Sequence, residues 1–178
     1  MRTLPRGLTV GYDFSAVDGP AYHRAHGVQV TLLLNVLAEA RLLDYTTPYP
    51  DEPESVVGRA VDPDAFEDDE DWPLSSTLPA DEIAYFGFRS PDPTKVPACK
   101  FFDNSPWLIT ESESLLLADG IDLLITGAQP GVLNGGARTA LTKMGVDREQ
   151  WGAATDSLLG SFGAFCRACA TSGGFWAY

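Results

Sequence analysis

Basic residues are scarce in this chain. Twelve Lys and Arg stand against 25 Asp and Glu, a formal charge of −13, and a field of that sign repels a phosphate backbone over most of the surface. Direct nucleic-acid binding is therefore not expected. The complementary partner is a basic protein, captured faster at low salt than at high salt, although the same surplus also serves plain solubility. Cysteine is scarce too. Cys99, Cys166 and Cys169 are an odd number, far below the density of a secreted disulfide scaffold, so a reducing compartment is expected. Long apolar runs are missing: no uncharged apolar span of about 20 residues occurs. The opening MRTLPRGLTVGYDF carries two arginines and no apolar stretch of signal-peptide type. The expectation is a cytoplasmic protein with no membrane association.

Enzyme motifs are also missing. No G-x-S-x-G, Walker A loop, G-x-G-x-x-G after a strand or H-E-x-x-H occurs. Cys99 has Lys100 and Asp103 nearby, but Phe101 and Phe102 place it in an apolar stretch where burial makes a thiol inert. The reading is a protein that is not an enzyme and uses no cofactor.

What is present suits one globular domain across residues 1–178: 44% of the residues are hydrophobic, enough for a core of its own. The expected fold is α+β, a mixed or antiparallel sheet packed against two main helices, with a long acidic loop. The clearest stretch is Val96–Ile125. Ala98–Phe102 reads as a short buried strand, Asp103-Asn104-Ser105-Pro106 as a turn, and Trp107-Leu108-Ile109 as a second extended run. Thr110 with Glu113 three residues later forms a capping box that starts a helix, expected to end by Gly120, with Ile121–Thr126 as a further strand.

Elsewhere, Leu8–Phe14 alternates as a strand. After Pro20 a stripe at His23, His26, Val30, Leu33, Leu37 and Ala40 has helical spacing, with Gly27 interrupting it near the start. Asp81–Phe88 is apolar on both faces, a central strand or a short helix. A short helix ends at Gly145. Asp147 and Gln150 then suggest a capped start for a long helix with a stripe at Trp151, Leu158, Phe162, Phe165 and Cys169. Gly152, Gly160 and Gly163 in that helix imply close packing by a neighbour. Gly173-Gly174 stops it before a closing strand at Phe175–Tyr178.

Residues 45–79 break the pattern, with Pro48, Pro50, Pro53, Pro63, Pro73 and Pro79 ruling out regular elements. Between Asp51 and Asp71 lie ten acids and one base, ending in five consecutive acids, Glu67, Asp68, Asp69, Glu70 and Asp71, flanked by Phe66 and Trp72. A run of like charges is usually solvated. Loops longer than about 12 to 15 residues are nevertheless often functional. Aromatics bracketing acids suit docking, since charge steers and Phe or Trp anchors. Phe66 to Trp72 are therefore the candidate partner-binding residues.

Two other pairs carry chemistry. His23-x-x-His26 and Cys166-x-x-Cys169 each space two ligands one helical turn apart, so four zinc ligands would meet if their helices packed together. The reading taken is two core histidines and two packed thiols with no metal, and zinc is the alternative.

The stretch LPADEIAYFGF, Leu78–Phe88, resembles the "LP, then aromatic-rich segment" signature of SUKH-type bacterial immunity proteins, and WLITESE, Trp107–Glu113, is similar to the same class. The resemblance implies an α+β protein that neutralises a toxin. Taken with the charge, it gives an acidic immunity protein that inhibits a basic, nuclease- or deaminase-like toxin by direct binding. The alternatives are a small enzyme or zinc protein using His23/His26 and Cys166/Cys169, and an acidic nucleic-acid mimic.

Overall fold

The computed structural model describes residues 11–53, 79–102, 106–127 and 135–177. Six strands and five helices occur among them: β1 (Gly11–Ala16), β2 (Tyr22–His26), α1 (Gly27–Glu39), β3 (Leu43–Asp44), α2 (Ala80–Phe86), β4 (Val96–Pro97), β5 (Trp107–Ile109), α3 (Glu111–Ile125), α4 (Gly135–Lys143), α5 (Trp151–Cys169) and β6 (Phe175–Ala177). The main sheet has four antiparallel strands in the order β2-β1-β6-β5, and β3 pairs with β4 in parallel as a separate ribbon. The fold is α+β.

Alternation along the strands sorts the sheet into two faces. Phe14, Ala25, Ile109, Phe175 and Ala177 point into the large core with Leu33 and Leu37 of α1, Leu117 and Ile121 of α3, and Phe162 and Phe165 of α5. On the other face, Leu108 and Trp176 form a smaller cluster with Val17, against which Ile83 and Phe86 of α2 pack. The chain enters β6 through Gly174, at φ 91°. A Cβ there would lie 2.1 Å from the Ile109 carbonyl oxygen, so only glycine lets the two backbones meet.

Several local expectations are corrected. Ala98–Phe101 is a 3₁₀ turn after the two-residue β4, not a strand. The capping box is present, with the Thr110 hydroxyl accepting from the Glu113 N–H, but α3 runs past Gly120 to Ile125, so Ile121–Thr126 is helix and not strand. His23 and His26 lie on β2, and α1 begins only at Gly27. Asp147 precedes a 3₁₀ turn, Arg148–Gln150, and makes no side-chain cap. Of the two readings of Asp81–Phe88 the helix is the one found, as α2 over Ala80–Phe86, with Gly87 as its C-cap and Phe88 beyond it. The early strand, the helix before Gly145 and the closing strand stand as expected over their described residues. Leu8–Val10, Tyr178 and the turn at 103–105 lie outside those residues.

Candidate partner-binding surface

β5 is an edge strand, and an edge normally leaves both side chains and carbonyls to solvent. Here Trp107 is only 3% exposed, and four rings among the described residues lie against it. The centroids of Phe88, Tyr85, Tyr49 and Phe86 lie 5.2, 5.5, 5.6 and 6.4 Å from it. The edge carbonyl of Leu108 accepts from Lys100 Nζ at 2.8 Å, and the same ammonium meets Glu113 Oε2 at 2.9 Å and lies 5.1 Å from the Phe88 ring centre. Glu113 in turn accepts from the Thr110 N–H and hydroxyl. The helix cap, the buried lysine and the aromatic clamp are one connected unit.

This clamp also joins described chain from before and after the acids. Tyr49 precedes the acids, Tyr85 follows them, and both lie against Trp107. The approach to the segment is fixed by Asp44, which accepts from Ser90 Oγ, Thr46 Oγ1 and Thr47 Oγ1, each at 2.6 Å, and from the Thr46 N–H at 2.8 Å. Those bonds, Ser90 first, hold the Asp44 carboxyl far below the usual carboxylate range. Tyr49 donates to the Cys99 carbonyl at 3.4 Å, and Cys99 Sγ approaches the Thr47 carbonyl at 3.8 Å. Tyr45–Pro53 therefore runs along the 3₁₀ turn without helix or strand of its own.

A groove of about 290 Å³ opens beside the start of that run. Its walls are Tyr12, Tyr45 and Phe102, its polar side chains include Thr31 and Asn35, and no charged residue lines it among the described residues. The Tyr45 and Phe102 rings meet at a tilt of 36° with centroids 5.8 Å apart, yet are 58% and 50% exposed. Burial on one side pushes the Tyr45 hydroxyl pKa up. No sequence motif signals this groove, since its residues come from β1, α1, the approach to the acids and the 3₁₀ turn.

The sequence-predicted docking residues, Phe66, Glu67, Asp68, Asp69, Glu70, Asp71 and Trp72, lie outside the described residues. The zinc alternative is not assembled. Among the described residues no three His, Cys, Asp or Glu are grouped to hold a metal. The physical reason is the strand. Residues three apart on β2 point to opposite faces, so His23 turns inward with Ala25 while His26 is exposed. His23 sits among Phe14, Phe162 and Phe165, with centroids 6.0, 5.5 and 5.7 Å away. Its Nε2 has no hydrogen-bond partner among the described residues, and burial lowers its pKa. Cys166 and Cys169 are buried on α5, and desolvation pushes the Cys169 thiol up to about 12, which leaves it protonated and inert.

No family model, curated protein or solved structure matches the chain. Among the described residues no helix is long and apolar enough to cross a membrane.

Proposed function

We propose that the chain is a cytoplasmic acidic binding protein that neutralises a basic partner by direct contact, as an immunity protein against a nuclease- or deaminase-like toxin. The observation that carries this reading is that the chain before and after the acids converges on one ring. Ten acids and one base fall between Asp51 and Asp71, on a segment whose flanking Tyr49 and Tyr85 both close on Trp107. A long segment is cheap to close once its ends are held together, and a rigid base lets a variable segment carry recognition.

The mechanism is competition for a cationic cleft. A toxin that handles nucleic acid lines its site with Lys and Arg, and Asp68, Asp69, Glu70 and Asp71 present carboxylates to the same groups. Phe66 and Trp72 supply the apolar anchors that slow dissociation. Charge of this kind acts chiefly on the encounter rate, so association weakens as salt rises. The resemblance of Leu78–Phe88 and Trp107–Glu113 to SUKH-type immunity proteins supports the same role.

The test is growth rescue. Among cells each made to express one of a panel of basic nuclease or deaminase toxin domains, those carrying the cognate domain should survive when the wild-type chain is co-expressed. Rescue should fall roughly tenfold or more, a loss of about 1.4 kcal/mol in binding, when Asp68→Asn, Asp69→Asn, Glu70→Gln and Asp71→Asn are combined. Full rescue by that variant contradicts the proposal.

A further inference from the structure

We infer that the groove between Tyr12, Tyr45 and Phe102 receives an arginine side chain of the basic partner. The inference rests on the proposed function and names the chemistry of a second contact. Three observations point to it. The walls are aromatic, and two of them are left half in water although such rings are normally covered. Among the described residues no cation lines the groove, so none of them repels a guanidinium.

The third observation is continuity with the acids. Tyr45 and Phe102 lead along the same chain to Tyr49, 49% exposed, and then to Asp51 and Glu52, both exposed. A basic surface drawn to the acids is brought to the groove at the same time. Arginine suits the groove better than lysine because its flat, weakly hydrated guanidinium stacks on rings while its edge donates to polar groups. Thr31 and Asn35 are the polar groups within reach of that edge. A phosphate or carboxylate is disfavoured by the charge of −13.

The probe is N-acetyl-arginine methylamide, titrated into the full chain while the aromatic side-chain NMR signals are followed. The lysine and norleucine methylamides serve as controls. Arginine should shift Tyr12, Tyr45 and Phe102 saturably and bind several-fold tighter than lysine. Tyr45→Ala and Phe102→Ala should each abolish the shifts while the Trp107 indole signal, a marker of the folded clamp, stays in place. Equal binding of norleucine would overturn the inference in favour of an apolar occupant. Groove signals that move with protein concentration alone would overturn it in favour of a second copy of this chain, and absence of any shift would leave the groove without a ligand of this class. The two proposals fail separately. If only the groove is wrong, Tyr45→Ala rescues growth as wild type does while the fourfold acid variant does not. If only the immunity role is wrong, arginine still binds and no rescue occurs.

Discussion

Lys100 has no exposed surface, and burial lowers its pKa while Glu113 raises it. Such a pair is held by mutual dependence, because removing one partner leaves the other charge unpaired in a dry site. Lys100→Met should therefore cost about 3–5 kcal/mol in urea unfolding. Adding Glu113→Gln should recover part of that loss, since it removes the orphaned charge. If the double variant is as unstable as the sum of the singles, the pair is not coupled. His23 makes a pH-dependent contribution. The unfolded imidazole has a pKa of 6.5 and the folded one a lower value, so the unfolded state takes up protons first as pH falls. Stability supplied by the neutral ring is full above pH 6.5 and declines as pH drops from there toward the folded value. Asp44 acts at more acid pH, adding stability above its unfolded value of 3.8 that is lost as pH falls further. His23→Phe should flatten the melting temperature against pH below 6.5 while leaving the loss below 3.8. An unchanged slope below 6.5 would mean that another group titrates there.

At the scale of elements, α3 and α5 meet closely enough to need glycine. A Cβ at Gly163 would lie 2.9 Å from Ile121 Cγ2; on another side of α3, away from α5, one at Gly120 would lie 2.6 Å from both methyls of Leu42, which precedes β3. Arg167 of α5 also bridges to Asp119 and Asp122 of α3. Gly163→Val should cost about 1–3 kcal/mol by overpacking. Gly152→Ala, where a Cβ meets nothing within 4 Å, should instead gain about 0.5 kcal/mol; thermal melts distinguish the two signs. These glycines also explain what sequence reading could reach. The capping box at Thr110 and Glu113 is local chemistry, and so it was legible. The end of α3 was not, because Gly120 looks like a stop signal until Leu42 is seen against it. The histidine stripe had helical spacing by coincidence, since Gly27 marks where strand gives way to helix. Close packing was inferred for all three glycines of α5, yet Gly163 alone is tightly packed. Gly160 has its nearest neighbour at 3.9 Å and Gly152 has none. The acidic run was legible as composition, but the clamp joins Tyr49, Tyr85 and Trp107 across long separations that no local pattern carries.

At the scale of the whole molecule, charge and core are separated along the chain. Eight acids and one base lie in residues 54–78, more than half of the surplus negative charge, while the core draws on the sheet, α1, α3, α4 and α5. Like charges clustered along a chain repel one another and tend to oppose folding. Neutralising them should therefore touch recognition and leave the fold intact, whereas Trp107→Ala should cost roughly 3–5 kcal/mol and remove binding only by unfolding the clamp. The decisive measurement takes the combined Asp68→Asn, Asp69→Asn, Glu70→Gln and Asp71→Asn variant and records thermal melting and toxin binding on the same sample. The account predicts a melting temperature within about 2 °C of wild type, as expected for a change of a few tenths of a kcal/mol, together with loss of salt-dependent binding. A variant that melts far lower, or that melts as wild type and still binds the toxin fully, would contradict it.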